Sequence, residues 1–106
     1  MTKAILITTE NEISRVELPE TNSLSILQQH VGGYIDAVRG EDIVGYVNDE
    51  GLLIGLDINA GASMLFGRLL VGNVVIVGGL NERGEYDGEN HDTPSWLNEL
   101  LLTQSV

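Results

Sequence analysis

Leu24-Ser25-Ile26-Leu27-Gln28-Gln29-His30-Val31-Gly32-Gly33-Tyr34-Ile35-Asp36-Ala37-Val38 is the segment around which the rest of the chain is organised. Leu24, Leu27 and Val31 recur at i, i+3 and i+7, one face of a 3.6-residue helix. Gly32 and Gly33 can take positive φ and close that helix in a left-handed cap. Beyond them Ile35 and Ala37 alternate with Tyr34, Asp36 and Val38, which is strand periodicity. The segment therefore predicts a helix that drops directly into a strand. It carries structure and no chemistry.

Upstream, Lys3 to Thr8 reads as a buried strand, Thr9-Glu10-Asn11-Glu12 as a turn, and Ile13 to Leu18 as a strand with Ser14, Val16 and Leu18 on one side. Together they predict an antiparallel hairpin. Pro19 breaks it, and Thr21, Asn22 or Ser23 supplies the cap of the helix that follows. Downstream, Arg39-Gly40-Glu41-Asp42 is a turn into Ile43–Asn48. Asp49-Glu50-Gly51 then predicts a tight reversal into a strand over Leu52-Leu53-Ile54-Gly55-Leu56. A short helix over Ala60 to Gly67 takes Asn59 as its N-cap, and its internal glycines weaken its propensity. Val71 to Val77 is a further buried strand ending at Gly78-Gly79. After the turn at Asn81-Glu82-Arg83-Gly84-Glu85 the run to Asp92 is acidic and loop-like. Thr93 as N-cap and Pro94 at the first helical position open a last helix with Trp96, Leu97, Leu100 and Leu101 in an apolar stripe. That stripe docks on the sheet or presents an interaction surface. The count is five or six short strands and two or three helices: a single α+β domain, residues 1–106, with a mostly antiparallel sheet.

Composition narrows the function classes. The chain has 106 residues, 42% of them hydrophobic, enough for one modest core. It has no cysteine, which excludes disulfides, thiol catalysis and thiolate metal sites and fits a reducing compartment. No signal peptide or membrane span is read from it. Sixteen acidic residues against five basic ones give a net charge of −11, and six of the acids lie between Glu82 and Glu99. Direct nucleic-acid binding is disfavoured, because it needs Lys and Arg to displace phosphate counterions. A partner protein with a basic surface is favoured.

No catalytic constellation is visible, and the chain is expected not to be an enzyme. Ser63 and Ser95 lack a nucleophile elbow, and no histidine stands at motif spacing from either. His30 suits the negative end of a helix. His91, in Glu89-Asn90-His91-Asp92, lacks the ligand spacing of a calcium loop. No metal or cofactor is implied. The paired glycines match neither GxxxxGK[ST] nor GxGxxG in a strand-to-helix setting. A small-ligand pocket would draw on Tyr34, Asn48, Asn59, Arg68 and Asn73, since amides and an arginine can read a nucleotide or sugar. Each of these also fits capping or turn geometry. A partner-binding surface would draw on Glu82, Glu85, Asp87, Glu89, Asp92 and Trp96.

Four motifs occur in order: Leu27 to Val38, Asn48-Asp49-Glu50-Gly51-Leu52-Leu53-Ile54-Gly55-Leu56-Asp57-Ile58-Asn59, Val71 to Gly78, and Arg83-Gly84-Glu85. Over about residues 3 to 86 the chain resembles a family of small proteins of unknown function encoded mainly by bacteriophages, especially of actinobacteria, and by related mobile elements. The family pattern is roughly LQxxVGGxIE, NExGxLxGLxxN, GDxVxVG and GE. Asp36 stands where glutamate is usual, Asp57 where proline is common, and Asn73 where aspartate follows Gly72. These departures bear on a family-wide acidic site rather than on the fold. The acidic loop and last helix, 87–106, lie outside the quoted pattern.

The resemblance implies a phage origin and no mechanism. It favours a non-catalytic accessory protein that binds a host bacterial protein, such as a nucleic-acid-binding one, in the cytoplasm of the infected cell during host takeover or anti-defence. Two alternatives stand beside it: a module that sequesters a nucleotide signal, and a structural phage component that forms homo-oligomers through Trp96 and the final helix.

Overall fold

The computed structural model describes residues 1–102. The chain runs β1 (Thr2–Ile7), β2 (Ile13–Leu18), α1 (Ser23–Val31), β3 (Ile35–Arg39), β4 (Ile43–Asn48), α2 (Ala60–Phe66), β5 (Val74–Gly78) and α3 (Ser95–Leu102). The strands form one sheet in the order β2-β1-β5-β4-β3, and every neighbouring pair is antiparallel. The α+β class read from the sequence is the class observed.

Alternation along each strand divides the apolar residues between two faces. One face carries Ile5, Ile7, Val38, Ile43, Val47, Val74 and Ile76 and is covered by α2 and α3 through Ala62, Leu65, Phe66 and Leu97. The other carries Ala4, Leu18, Val44, Val75 and Val77 and is covered by α1 through Ile26 and Leu27. β5 lies centrally, buried along its whole length, between the two hairpins β1–β2 and β3–β4.

The segment 24–38 folds as read. Leu27 and Val31 are buried, and Gly32 closes α1 at φ 81° with its N–H on the Gln28 carbonyl. Leu24 remains largely exposed. Gly33 has no positive φ: a side chain there would meet the Asn48 amide at 2.9 Å, so close approach requires the glycine. Asn22 occupies the N-cap in the left-handed region without a side-chain cap bond.

The predicted strand over Leu52–Leu56 does not form. Residues 49–55 are a series of turns, with Leu56 N–H on the Gly51 carbonyl and Ile54 N–H on that of Glu50. β4 already has β3 on one side and β5 on the other, so Leu52–Leu56 cannot fold back on β4 as the second strand of a hairpin. Among the described residues the strand count is accordingly five. α3 starts at Ser95, with the Pro94 carbonyl accepting from Leu97 and Asn98. Thr93 caps no backbone amide with its hydroxyl, which donates to Asn98 Oδ1 at 2.6 Å instead. Leu97 is fully buried, and Trp96 donates its indole N–H to Asp42 at 2.7 Å, so the last helix docks on the sheet. Among the described residues no helix is long and apolar enough to cross a membrane.

Candidate functional site

The buried asparagines come first, because they separate support from surface. Asn59 caps α2: its Oδ1 accepts from Ala62 N–H at 3.0 Å, while its Nδ2 donates to the Ile7 carbonyl at 2.9 Å and the Gly72 carbonyl at 3.0 Å. Its side chain is 0% exposed, so it ties β1, α2 and the approach to β5 together and offers a ligand nothing. Asn48 ties β4 to α1 in the same manner, donating to the Val31 carbonyl and accepting from Glu50 N–H. Asn73 accepts from Thr9 N–H and donates to the His30 carbonyl. Tyr34 is exposed. Of these five, Asn48 and Arg68 line one cavity together.

That cavity is a groove of about 340 Å³ along the β3 edge, on the α2 side of the sheet. Asp36, Val38 and Val47 form its floor, and Leu52, Leu53 and Leu69 its wall. Leu53 is 85% exposed, and Leu52 and Leu69 are each more than half exposed. Sequence reading missed these leucines as surface residues. A run such as Leu52-Leu53-Ile54 carries no signal that it will face solvent, and the alternation rule assigns it to a strand.

A second hollow, of about 570 Å³, lies on the α1 side between the start of α1, Tyr46 and residues 88–91. Glu20 and Glu89 line it, with Ser23, Asn90 and His91. Its outer wall is the acidic loop. Asn81 Oδ1 accepts from the N–H groups of Arg83 and Glu85, fixing the first turn. Asp87 Oδ1 accepts from Glu89 N–H at 3.0 Å, and its carboxylate meets His91 Nε2 at 2.8 Å. These contacts, the histidine first and the amide second, hold the Asp87 carboxyl below the usual carboxylate range.

Contacts at Tyr86, Asn90, His91 and Asp92 tether the loop to the sheet. Tyr46 donates its hydroxyl to Asn90 Oδ1, and Arg39 stacks on the Tyr86 ring at 3.8 Å. Burial raises the Tyr46 pKa and keeps that hydroxyl a donor, against the lowering influence of Asn90. The loop then returns as a bridge, His91 exchanging both backbone bonds with Gly78, while Asp92 Oδ1 accepts from Lys3 N–H at 2.7 Å. A Cβ on Gly78 would lie 2.2 Å from the Asp92 carbonyl, so Gly78 is the contact point between sheet and loop rather than only a strand end.

The six sequence-predicted partner residues thus fall into two groups. Asp87, Asp92 and Trp96 are engaged within the molecule. Glu82, Glu85 and Glu89 are exposed, and their carboxylates make no hydrogen bond or ion pair among the described residues. Among the described residues, no group of three or more His, Cys, Asp or Glu side chains is placed to hold a metal ion. The Ser63 hydroxyl is committed to the backbone of Leu70, to which it donates and from which it accepts.

The model of a family described as a domain of unknown function, DUF3846, matches residues 1–99. The chain belongs to that family. The match runs the length of the sheet and on through the acidic loop into α3, so the DUF3846 model spans both the β3 groove and the loop. No curated protein and no solved structure matches the chain.

Proposed function

We propose that this DUF3846 domain is a small phage accessory protein that acts, without catalysis, by binding a basic-surfaced host protein in the cytoplasm of the infected bacterium. The reading is carried by one observation. The loop backbone that bears Glu82, Glu85 and Glu89 is fixed by Asn81, Asp87, Asn90 and Asp92, while those three carboxylates have no partner among the described residues. A fixed array of unpaired charges lowers the ordering cost of association. It also speeds encounter with a surface rich in lysine and arginine, as nucleic-acid-binding proteins have. The phage-like motifs and the net charge of −11 support the same reading.

The test begins by capturing the partner from host lysate after nuclease treatment and then titrating it in purified form. Replacing Glu82, Glu85 and Glu89 together by glutamine should weaken binding roughly tenfold, mostly through slower association, and flatten its salt dependence. Unchanged affinity at low salt, with the fold intact, would remove the loop from the interaction.

A further inference from the structure

We infer that the outer edge of β3, with the groove walled by Leu52, Leu53 and Leu69, takes an extended segment of a partner protein by strand addition, and that this segment carries lysine or arginine among apolar residues. The site is separate from the acidic loop and stands without the loop reading.

β3 is an edge strand. Gly40 N–H bonds the Ile43 carbonyl and Asp49 N–H the Tyr34 carbonyl, so the even-numbered residues turn their backbone groups toward β4. The N–H and C=O groups of Ile35, Ala37 and Arg39 consequently face outward. Such an edge is a template for an added strand, and proteins guard it with charge. Here the guard is Asp36, whose Oδ1 accepts from Ala37 N–H at 2.9 Å, covering the middle donor of the edge.

An incoming strand must supply its own carbonyl to Ala37 and release the Asp36 carboxylate. The freed carboxylate then lies in a groove that also contains Asp49. A lysine or arginine on the incoming strand compensates it, and an acidic side chain meets two like charges. Arg68 lies in the same lining and is the opposing charge a basic segment must pass. The leucine wall supplies apolar contact for the other residues on that side of the strand. A second copy of the chain is disfavoured as occupant, because pairing would join two molecules of charge −11.

The probe is a short capped peptide that alternates threonine with lysine or leucine, so that lysine and leucine share one face, together with its twin bearing glutamate for lysine. NMR on the full chain reads amide exchange and chemical shift. The lysine peptide should protect the Ile35 and Arg39 amides roughly tenfold and shift Leu52, Leu53 and Leu69, with the glutamate twin at least about tenfold weaker. Asp36→Asn should shrink the preference between the twins. Leu53→Asp, at a surface position that leaves the core alone, should weaken the lysine peptide.

The protein with glutamine at Glu82, Glu85 and Glu89 should bind the peptide as the unaltered chain does, so failure at the loop and failure at β3 are read separately. Equal binding of the twins, no binding, or shifts confined to 82–92 would overturn the assignment. So would peptide-independent protection of Ile35 that grows with protein concentration.

Discussion

The two faces of the sheet are closed by different means. Under α2 and α3 the closure is largely apolar, with Leu97, Ala62 and Val74 fully buried and the Asn59 amide among them satisfied on all sides. On the α1 face the helix covers one end of the sheet, and the other end is covered by a polar loop held through Tyr46, Arg39 and Gly78. Apolar burial and saturated buried amides resist opening, whereas half-exposed hydrogen bonds open locally at small cost. The first closure supports the fold. The second presents charges at its surface and hollows at its rim.

The strongest way to break this contrast is at Asn59. Asn59→Ala removes the amide that bonds the Ile7 and Gly72 carbonyls and the Ala62 N–H in a fully buried site, and should lower global stability by about 3 kcal/mol. Urea unfolding measures it, and a loss below about 1 kcal/mol would mean that the amide is incidental. Tyr46→Phe should cost about 1 kcal/mol and act locally. Hydrogen exchange should then rise roughly fivefold around residues 86–91 while β5 stays protected, and equal acceleration in β5 would erase the distinction between the two closures.

The smallest effect is acid loosening of the loop. Asp87 is depressed in the folded protein, so its stabilisation is complete above the ordinary carboxylate value of about 4 and fades as pH falls through the lower folded value. Loop exchange should therefore quicken in that acid window, and Asp87→Asn should remove the dependence. A pH response left intact in that variant would assign the tether to another group.

What could be read in the sequence was local. Helix α1, the Gly32 cap and the β1–β2 hairpin follow from periodicity and turn chemistry within a few residues. Asn59 as N-cap was equally visible, but its reach to Ile7 was not, since that bond spans 52 positions. Leu52–Leu56 failed as a strand because strand propensity says nothing about whether β4, the strand it would fold back on, already has both neighbours. Loop carboxylates were legible as a charge run. Which of them are engaged depends on Lys3 and His91 meeting them in space. The β3 groove was hidden, because Asp36 and Leu69 are neighbours only after α2 has folded beneath the sheet.

The place of β5 has a consequence for how the chain is made. Emerging from the ribosome, the chain can pair β1 with β2 and β3 with β4 early, as two ribbons with open inner edges. Neither ribbon can join the other until Val74–Gly78 has left the exit tunnel and slid between β1 and β4. Folding of the sheet therefore waits on a long-range closing step, the kind that is slow and leaves strand edges exposed in the meantime. A chain cut short before Val74 would leave a pair of adhesive hairpins, a natural target for chaperones and proteases.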